Sequence, residues 1–397
     1  MLVHVLVAAG VIALWMGGVQ AGWAASDAER YHVPQIAALL GGDWRRALTD
    51  PLVAMPVAFH VVACALAAAT GASAATAGRA LSLLGFLGLL ALSYAVSSRC
   101  EGRTRWLALA GIGTSWTLLS ASLSAVTDVL AAALFVATML LMARRSWSAA
   151  ALTAVLLVWT RQAYAVVPIA ILIVSPFVVP SVDRRAAMLV GLAGTCALAI
   201  VVTLWGGFVP PRFRGYYTRA EAVNLGALAL SLAWCGVVGV IALAFHWSPT
   251  VARGLPARVV SGVAVGGLLV VLPTTADGVG GRWGSVLWRT PWAVIHGHNV
   301  LMVALGVLGA AFVVDVAARA LRERQLVPLA GIVAAAGAVA QFCLQPFAWQ
   351  RYIDPLLTFA LLFAATSASM PGSRRSTSPL HAAGGGCASA EASDMRT

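Results

Sequence analysis

Between residues 26 and 56 the chain reads SDAERYHVPQIAALLGGDWRRALTDPLVAMP, and this stretch concentrates groups able to move a proton. Asp27, Glu29, Asp43 and Asp50 are four of only 14 acidic residues in the whole chain, and His32 lies among them. A carboxylate held at a lipid–water boundary can take a proton from an incoming hydroxyl. Glu29 is therefore the first candidate base and Asp27 the second, with His32 in position to orient either. Each has an ordinary alternative: a solvated loop carboxylate, or a structural histidine. Asp50, followed by Pro51, reads equally as the N-cap of the next helix. The alternation over residues 36–48 predicts a helix lying flat in the interface.

Three further groups carry chemistry. Asp128 follows Thr127 at the start of an apolar run, where it either complements a helix N-terminus or faces the first loop. Arg161 and Gln162 separate two apolar runs. Polar side chains are costly in lipid, so they read as functional. An arginine there can hold a phosphate with two parallel hydrogen bonds; the alternative is a hairpin turn at headgroup level. Arginines mixed with aromatics recur in Arg212, Phe213, Arg214, Tyr216 and Tyr217, and again in Arg282, Trp283, Arg289 and Trp292 with His296 and His298. Such residues are ordinary membrane anchors that also suit a sugar or an anionic headgroup. Gln345, Gln350, Arg351 and Asp354 lead into the last apolar run, and Arg351 is a second phosphate candidate.

The elements that must position these residues are membrane helices. The 397 residues are 60% hydrophobic and 10% charged, with a mean hydropathy of +0.88. Apolar runs of about 18 residues recur throughout, the length a hydrocarbon layer of about 30 Å demands. Candidate spans fall at 2–22, 52–70, 80–97, 106–124, 128–143, 149–160, 163–180, 186–206, 223–246, 257–275, 297–318, 326–345 and 353–369. These predict an all-α polytopic membrane protein of about 11–13 crossings, since helices satisfy their own backbone in lipid. Residues 1–370 form one membrane domain. The Ser-, Gly- and Ala-rich tail 371–397 is expected to be disordered. Residues 2–25 read as an uncleaved first helix rather than a signal peptide.

The net charge is +12 and the basic side chains are all arginine. They sit in short loops (Arg99, Arg103 and Arg105; Arg144 and Arg145; Arg184 and Arg185; Arg253 and Arg258; Arg319, Arg322 and Arg324; Arg374 and Arg375). That pattern favours cytoplasmic loops over nucleic-acid binding. Residues 26–50 then face the opposite side, but two apolar runs separate them from Arg99 where an odd number of crossings is needed. One of 52–70 and 80–97 is therefore a candidate re-entrant segment, unless the Arg99 loop itself lies outside. The six cysteines show no metal-ligand spacing. Neither nucleotide-binding glycine motifs nor HExxH or GxSxG patterns occur in a usable context.

The order of these motifs resembles the polytopic GT-C-type glycosyltransferases. Glu29-Arg-Tyr-His32-Val-Pro34-Gln35, then Trp44, Thr49-Asp50-Pro51 and Pro56, is similar to the opening of the eukaryotic α-1,2-glucosyltransferase family that adds the terminal glucose to dolichol-linked oligosaccharide. Thr127-Asp128, Arg161-Gln162 and Arg351-Tyr352 resemble later motifs of that family. Ala28 stands where the family carries an acid, with Asp27 one position earlier, and residues 207–221 match its middle loop poorly.

The resemblance implies a catalytic first external loop and a metal-independent, cofactor-free, inverting transfer of a sugar. The donor would be a polyprenyl-phosphate sugar and the acceptor a lipid-linked or cell-envelope glycan. Glu29, Asp27 and Asp128 are then the catalytic candidates. His32, Gln35, Asp50, Arg161, Gln162, Arg351 and Tyr352 are the substrate-binding candidates. Arginine-only basic usage and Ala/Gly/Val richness suggest a bacterial inner (plasma) membrane, with the site on its non-cytoplasmic side. The rival reading is a transporter or flippase of a lipid-linked or small anionic substrate, marked by mid-membrane charges and paired interrupted helices. A third is a scaffold whose first loop tolerates substitution.

Overall fold

The computed structural model describes residues 2–20, 22–98, 106–217, 223–246, 255–275, 283–285, 287–290, 293–344 and 348–367. Several residues read from the sequence lie outside these: Arg99, Arg103 and Arg105, Arg253, Arg282, Trp292, Gln345 and the tail. The protein is a mostly helical, membrane-embedded bundle. Among the described residues, five helices are long and apolar enough to cross a bilayer by themselves. They are α6 (Ala74–Ser97), α12 (Ser181–Trp205), α14 (Leu225–His246), α16 (Val300–Arg322) and α17 (Leu326–Cys343). Shorter apolar helices complete the bundle: α1 (Leu2–Met16), α5 (Ala58–Thr70), α9 (Asp128–Ala143), α10 (Trp147–Thr160), α11 (Val166–Val178), α15 (Leu255–Val271) and α18 (Gln350–Ser367).

Residues 107–122, expected as one span, form two helices, α7 (Leu107–Thr114) and α8 (Trp116–Ser122). The break falls at Ser115, which has left helical geometry (φ −87°, ψ 89°) and caps α8 by accepting from the Leu118 amide at 3.3 Å. Its hydroxyl is thereby turned toward the bundle interior.

Small residues set the close approaches. A Cβ on Gly191 of α12 would come within 2.7 Å of the Leu172 nitrogen and 2.8 Å of the Pro168 oxygen of α11. Gly236 of α14 meets the backbone of Leu305 in α16 just as tightly. Packing through small residues is how helices associate where lipid tails compete equally for apolar surface.

The first 97 residues settle the crossing count left open above. α1 runs antiparallel to α6. His4, near its start, lies 3.5 Å from the Ser93 hydroxyl and edge-on to Tyr94 at the end of α6. Arg79, near the start of α6, donates to the Trp15 carbonyl at the end of α1 (3.2 Å) and to the Leu123 carbonyl (3.1 Å). The chain therefore leaves α1 and enters α6 at the same end of the bundle, and residues 17–73 make no net crossing. α5 is 13 residues long, about 20 Å at 1.5 Å per residue, well short of the hydrocarbon thickness. It turns into α6 through Gly71, at φ +69°, and the Ser73 cap. The expected span 52–70 is thus a hairpin arm and not a crossing.

The two ends of the bundle differ in chemistry. At one, Arg145 pairs with Asp183 at 3.3 Å, and Asp315 bridges Arg258 and Arg319 (2.9 Å to Arg319). At the other lie the first loop, the starts of α9 and α18, the turn between α10 and α11, and the segment after α12. There, a two-residue strand β1 (Trp283–Gly284) pairs in parallel with β4 (Ala348–Trp349), bringing the segment before α16 beside the start of α18. Between them, β2 (Val294–Ile295) pairs antiparallel with β3 (His298–Asn299).

Candidate functional site

The first loop folds as short helices: α2 (Gly22–Asp27), a π-helical turn (Ala28–His32), α3 (Val33–Leu40) and α4 (Trp44–Thr49). A π-turn is a costly geometry that is frequent at functional sites. Here it splits its residues between two environments, leaving Glu29 exposed and burying Ala28 and His32. The predicted interfacial helix over 36–48 is divided at Gly42, which adopts φ +87°. Ile36, Leu39 and Ala47 point inward, against Phe59 and Ala63 of α5.

After α4 the chain does not open a helix at Asp50. The expected N-cap role is overturned: the next helix starts at Ala58 and is preceded by Val57. Pro51 and Pro56 keep the intervening residues out of a helix, because each disfavours helical geometry in the residue before it and lacks an amide donor. Asp50 instead accepts from the Arg212 amide at 3.2 Å, joining the first loop to the segment after α12. Trp205 Nε1 donates to the Leu48 carbonyl at 3.0 Å, and Tyr31 packs edge-on to Phe213, so the same two segments are stitched at three points.

Residues 51–57 form a non-helical strap with Pro51, Val53, Pro56 and Val57 buried. Irregular backbone at this depth persists only where protein satisfies it. Two side chains do so, and a third holds the strap through the Met55 side chain. Gln35 Oε1 accepts from the Leu52 amide at 2.6 Å, Gln162 Nε2 donates to the Ala54 carbonyl at 2.7 Å, and the Thr127 hydroxyl donates to Met55 Sδ at 3.0 Å. Gln35 and Gln162, expected as substrate ligands, thus have a structural task in holding the strap. Gln35 is fully buried and its Nε2 finds no partner among the described residues.

Beneath the strap lies a buried ion pair. Arg161 NH1 is 2.6 Å from Asp128 Oδ1, with the two side chains 8% and 4% exposed. The same NH1 donates to Thr127 Oγ1 at 3.4 Å. Local structure explains the meeting. α10 ends at Thr160, Arg161 is extended (φ −156°, ψ 106°), and residues 162–165 form a 3₁₀ turn into α11, so the guanidinium leaves the helix end sideways. Asp128 is the first residue of α9, a helix enclosed along most of its length. The residues are 33 apart in sequence, yet α9 and α10 are an antiparallel hairpin that sets the start of one beside the end of the other.

A second buried carboxylate stands near this pair. Asp354, 1% exposed at the start of α18, accepts from the Ser115 hydroxyl and the Thr358 hydroxyl, both at 2.9 Å. Trp234 Nε1 in turn donates to Thr358 Oγ1 at 3.0 Å. Tyr164, buried in the turn after Arg161, is within electrostatic reach of Arg161, Asp128 and Asp354 together. The side chains of Arg351 and Tyr352, one turn earlier on α18, lie outside the described residues.

His32 has a partner that the sequence reading passed over. Its Nδ1 is 2.9 Å from Nε2 of His60 in α5, the rings stack at 5.1 Å and 7°, and both are buried. This clamp ties the π-turn to the hairpin arm. Asp27 is half-buried beside it; Glu29 makes no ion pair among the described residues. Among the described residues no three metal-ligating side chains come together.

The site so assembled has an exposed carboxylate, without an ion pair among the described residues, on a clamped turn and a buried arginine held by a carboxylate. A strap of irregular backbone covers the arginine. Comparison with protein-family models, curated proteins and solved structures gave no match.

Proposed function

We propose that the protein is a membrane glycosyltransferase taking a sugar from a polyprenyl-phosphate-sugar donor to a lipid-linked or cell-envelope glycan acceptor. The observation that carries this reading is Arg161, a buried cation under the 51–57 strap, at the same end of the bundle as the exposed Glu29. A lipid-borne donor reaches such a place from within the bilayer, with its phosphate at the arginine and its sugar toward the loop. Glu29 accepts the proton of the acceptor hydroxyl as the oxygen attacks the anomeric carbon. The bond from that carbon to the phosphate oxygen breaks with its electron pair going to phosphate, and configuration inverts. Arg161 stabilises the charge that accumulates there, the term to which preorganised cations contribute most. In this reading the loop end faces away from the cytoplasm and the arginine-bearing end faces it.

The test uses membranes containing the parent protein or its Glu29→Gln variant, supplied with radiolabelled polyprenyl-phosphate sugars. Transfer of label to lipid-linked or polymeric product by the parent, reduced at least about a hundredfold in Glu29→Gln, is expected of a general base. Because Glu29 is exposed and makes no ion pair among the described residues, the variant should fold as the parent does. Transfer that survives Glu29→Gln moves the base to Asp27 or Asp128. Absence of transfer with every donor, together with substrate uptake into vesicles, would refute the enzyme and favour a transporter.

A further inference from the structure

Among the described side chains, four arginines are withdrawn from water: Arg79, Arg161, Arg258 and Arg319. Arg161 has Asp128 as its partner, and Arg258 and Arg319 share Asp315. Arg79 forms no ion pair among the described residues. It lies half-buried between α6, the end of α1 and the turn between α8 and α9. Its Nε donates to the Leu123 carbonyl at 3.1 Å and its NH2 to the Trp15 carbonyl at 3.2 Å. The guanidinium carbon stands 5.3 Å from the centre of the Trp15 ring. A guanidinium carries five N–H donors. Two are used here, which leaves both hydrogens of NH1 and one of NH2 without an acceptor among the described residues. The carbonyls and the ring hold the cation in place, but none of them neutralises it.

The surroundings say what kind of anion is in reach. Arg79 is the sixth residue of α6, about 7 Å in from the helix start at 1.5 Å per residue. That is the level where headgroups meet acyl chains and where tryptophan rings settle. Beside it α1 presents an apolar face. Of its 15 residues only His4 and Val11 are buried, while Leu6, Ile12, Leu14 and Met16 are exposed.

We infer that Arg79 seats the phosphate of an anionic phospholipid from the surrounding leaflet, whose chains lie along the exposed face of α1. The headgroup supplies the counter-ion that the chain lacks, and the unused NH1 and NH2 hydrogens form a planar fork that matches two phosphate oxygens. Binding breaks no protein contact, because the bonds to Trp15 and Leu123 use the other donors. The lipid also fastens α1, a helix with few buried residues of its own. Neither Glu29 nor Arg161 takes part, so this site stands apart from the transferase reading.

Full-length protein in detergent is titrated with phosphatidylglycerol, diacylglycerol, inorganic phosphate and undecaprenyl phosphate, and adducts are counted by native mass spectrometry. The parent is expected to retain one phosphatidylglycerol. Arg79→Gln should bind it at least about tenfold more weakly, the scale of one charge-assisted hydrogen bond. Arg46→Gln, at an exposed arginine beside Asp43, should bind as the parent does. Diacylglycerol, which keeps the chains without the charge, should also bind at least about tenfold more weakly. A second readout needs no variant: phosphatidylglycerol with a photoactivatable diazirine on its chain should crosslink to residues 12–16 of α1, and excess unlabelled phosphatidylglycerol should suppress this. Equal binding by Arg79→Gln, equal binding of diacylglycerol, or crosslinks spread evenly over the outer helices overturns the inference. Equal binding of inorganic phosphate overturns it in favour of a free-anion site. Displacement by equimolar undecaprenyl phosphate overturns it in favour of a carrier-lipid site.

Discussion

Arg161→Gln is the perturbation whose cost follows most directly from the structure. It removes the cation and leaves the Asp128 carboxylate, 4% exposed, with no guanidinium at 2.6 Å. Breaking a buried pair from one side costs about 3–5 kcal/mol, because the surviving charge is stranded out of water. Solvent screening takes little from this figure, since neither partner is appreciably exposed. Asp128→Asn strands the opposite charge and should cost a similar amount. The double variant removes both charges and leaves two amides of nearly the same volume, able to hydrogen-bond each other. It should recover all but about 1–2 kcal/mol, giving a coupling energy of at least about 4 kcal/mol, above the usual range of about 0.5–3 kcal/mol for residues in direct contact.

The assay is reversible unfolding in mixed micelles with increasing SDS, read by helicity, on the parent, the two single variants and the double. Arg46→Gln is the internal comparison. Its ion pair with Asp43 spans 4.0 Å with side chains 53% and 46% exposed, so its loss should fall within about 0.5 kcal/mol. If the double variant costs the sum of the singles, the residues are not coupled and the site described here does not exist as an ion pair. If all three variants match Arg46→Gln, the pair is not buried as described.

Three further outcomes follow from the packing. Gly236→Ala should destabilise the bundle by about 1–3 kcal/mol, because a Cβ there meets the Leu305 backbone and α14 and α16 must part; the same micelle titration reads it. Asn299→Ala removes three bonds of a 1%-exposed side chain: the cap on the Met302 amide at 3.1 Å and donations to the Leu287 carbonyl and Thr290 hydroxyl, both 2.9 Å. A cost of about 2–3 kcal/mol is expected, measured as a lower unfolding midpoint. Gln162→Leu frees the Ala54 carbonyl. Amide exchange over residues 51–57 should then accelerate by about tenfold, the scale of one lost hydrogen bond, while α9 and α18 stay protected. Uniform acceleration across all helices would mean that Gln162 supports the whole fold and not the strap.

The helical membrane architecture was legible because lipid enforces it: long apolar runs have no other structure available. The runs 128–143, 186–206 and 326–345 became α9, α12 and α17 with ends shifted by a few residues. What failed was local, and each failure has a cause. Asp50-Pro51 carries an N-cap signal, but the second proline at 56 prevents a helix from starting between them, and the carboxylate turns to Arg212 instead. The bracketing prolines and the unequal crossing count were the two signs of a strap in the sequence. His60 sits in FHVVAC, where an apolar-run reading absorbs it; only the fold shows that the π-turn sets His32 against it.

The ion pair shows why residue types can be read from sequence while their pairing cannot. Asp128 looked like a helix-start acid and Arg161 like a turn arginine, and locally each is what it looked like. Thr127 precedes α9 without capping it, because its hydroxyl is committed to Arg161 and Met55. A hairpin of 16- and 14-residue helices then brings an N-terminus and a C-terminus level. Helix dipoles favour an anion at the first and a cation at the second. Each charge is therefore placed well for its own helix before the pair forms. That local support lets the pair survive in an apolar bundle.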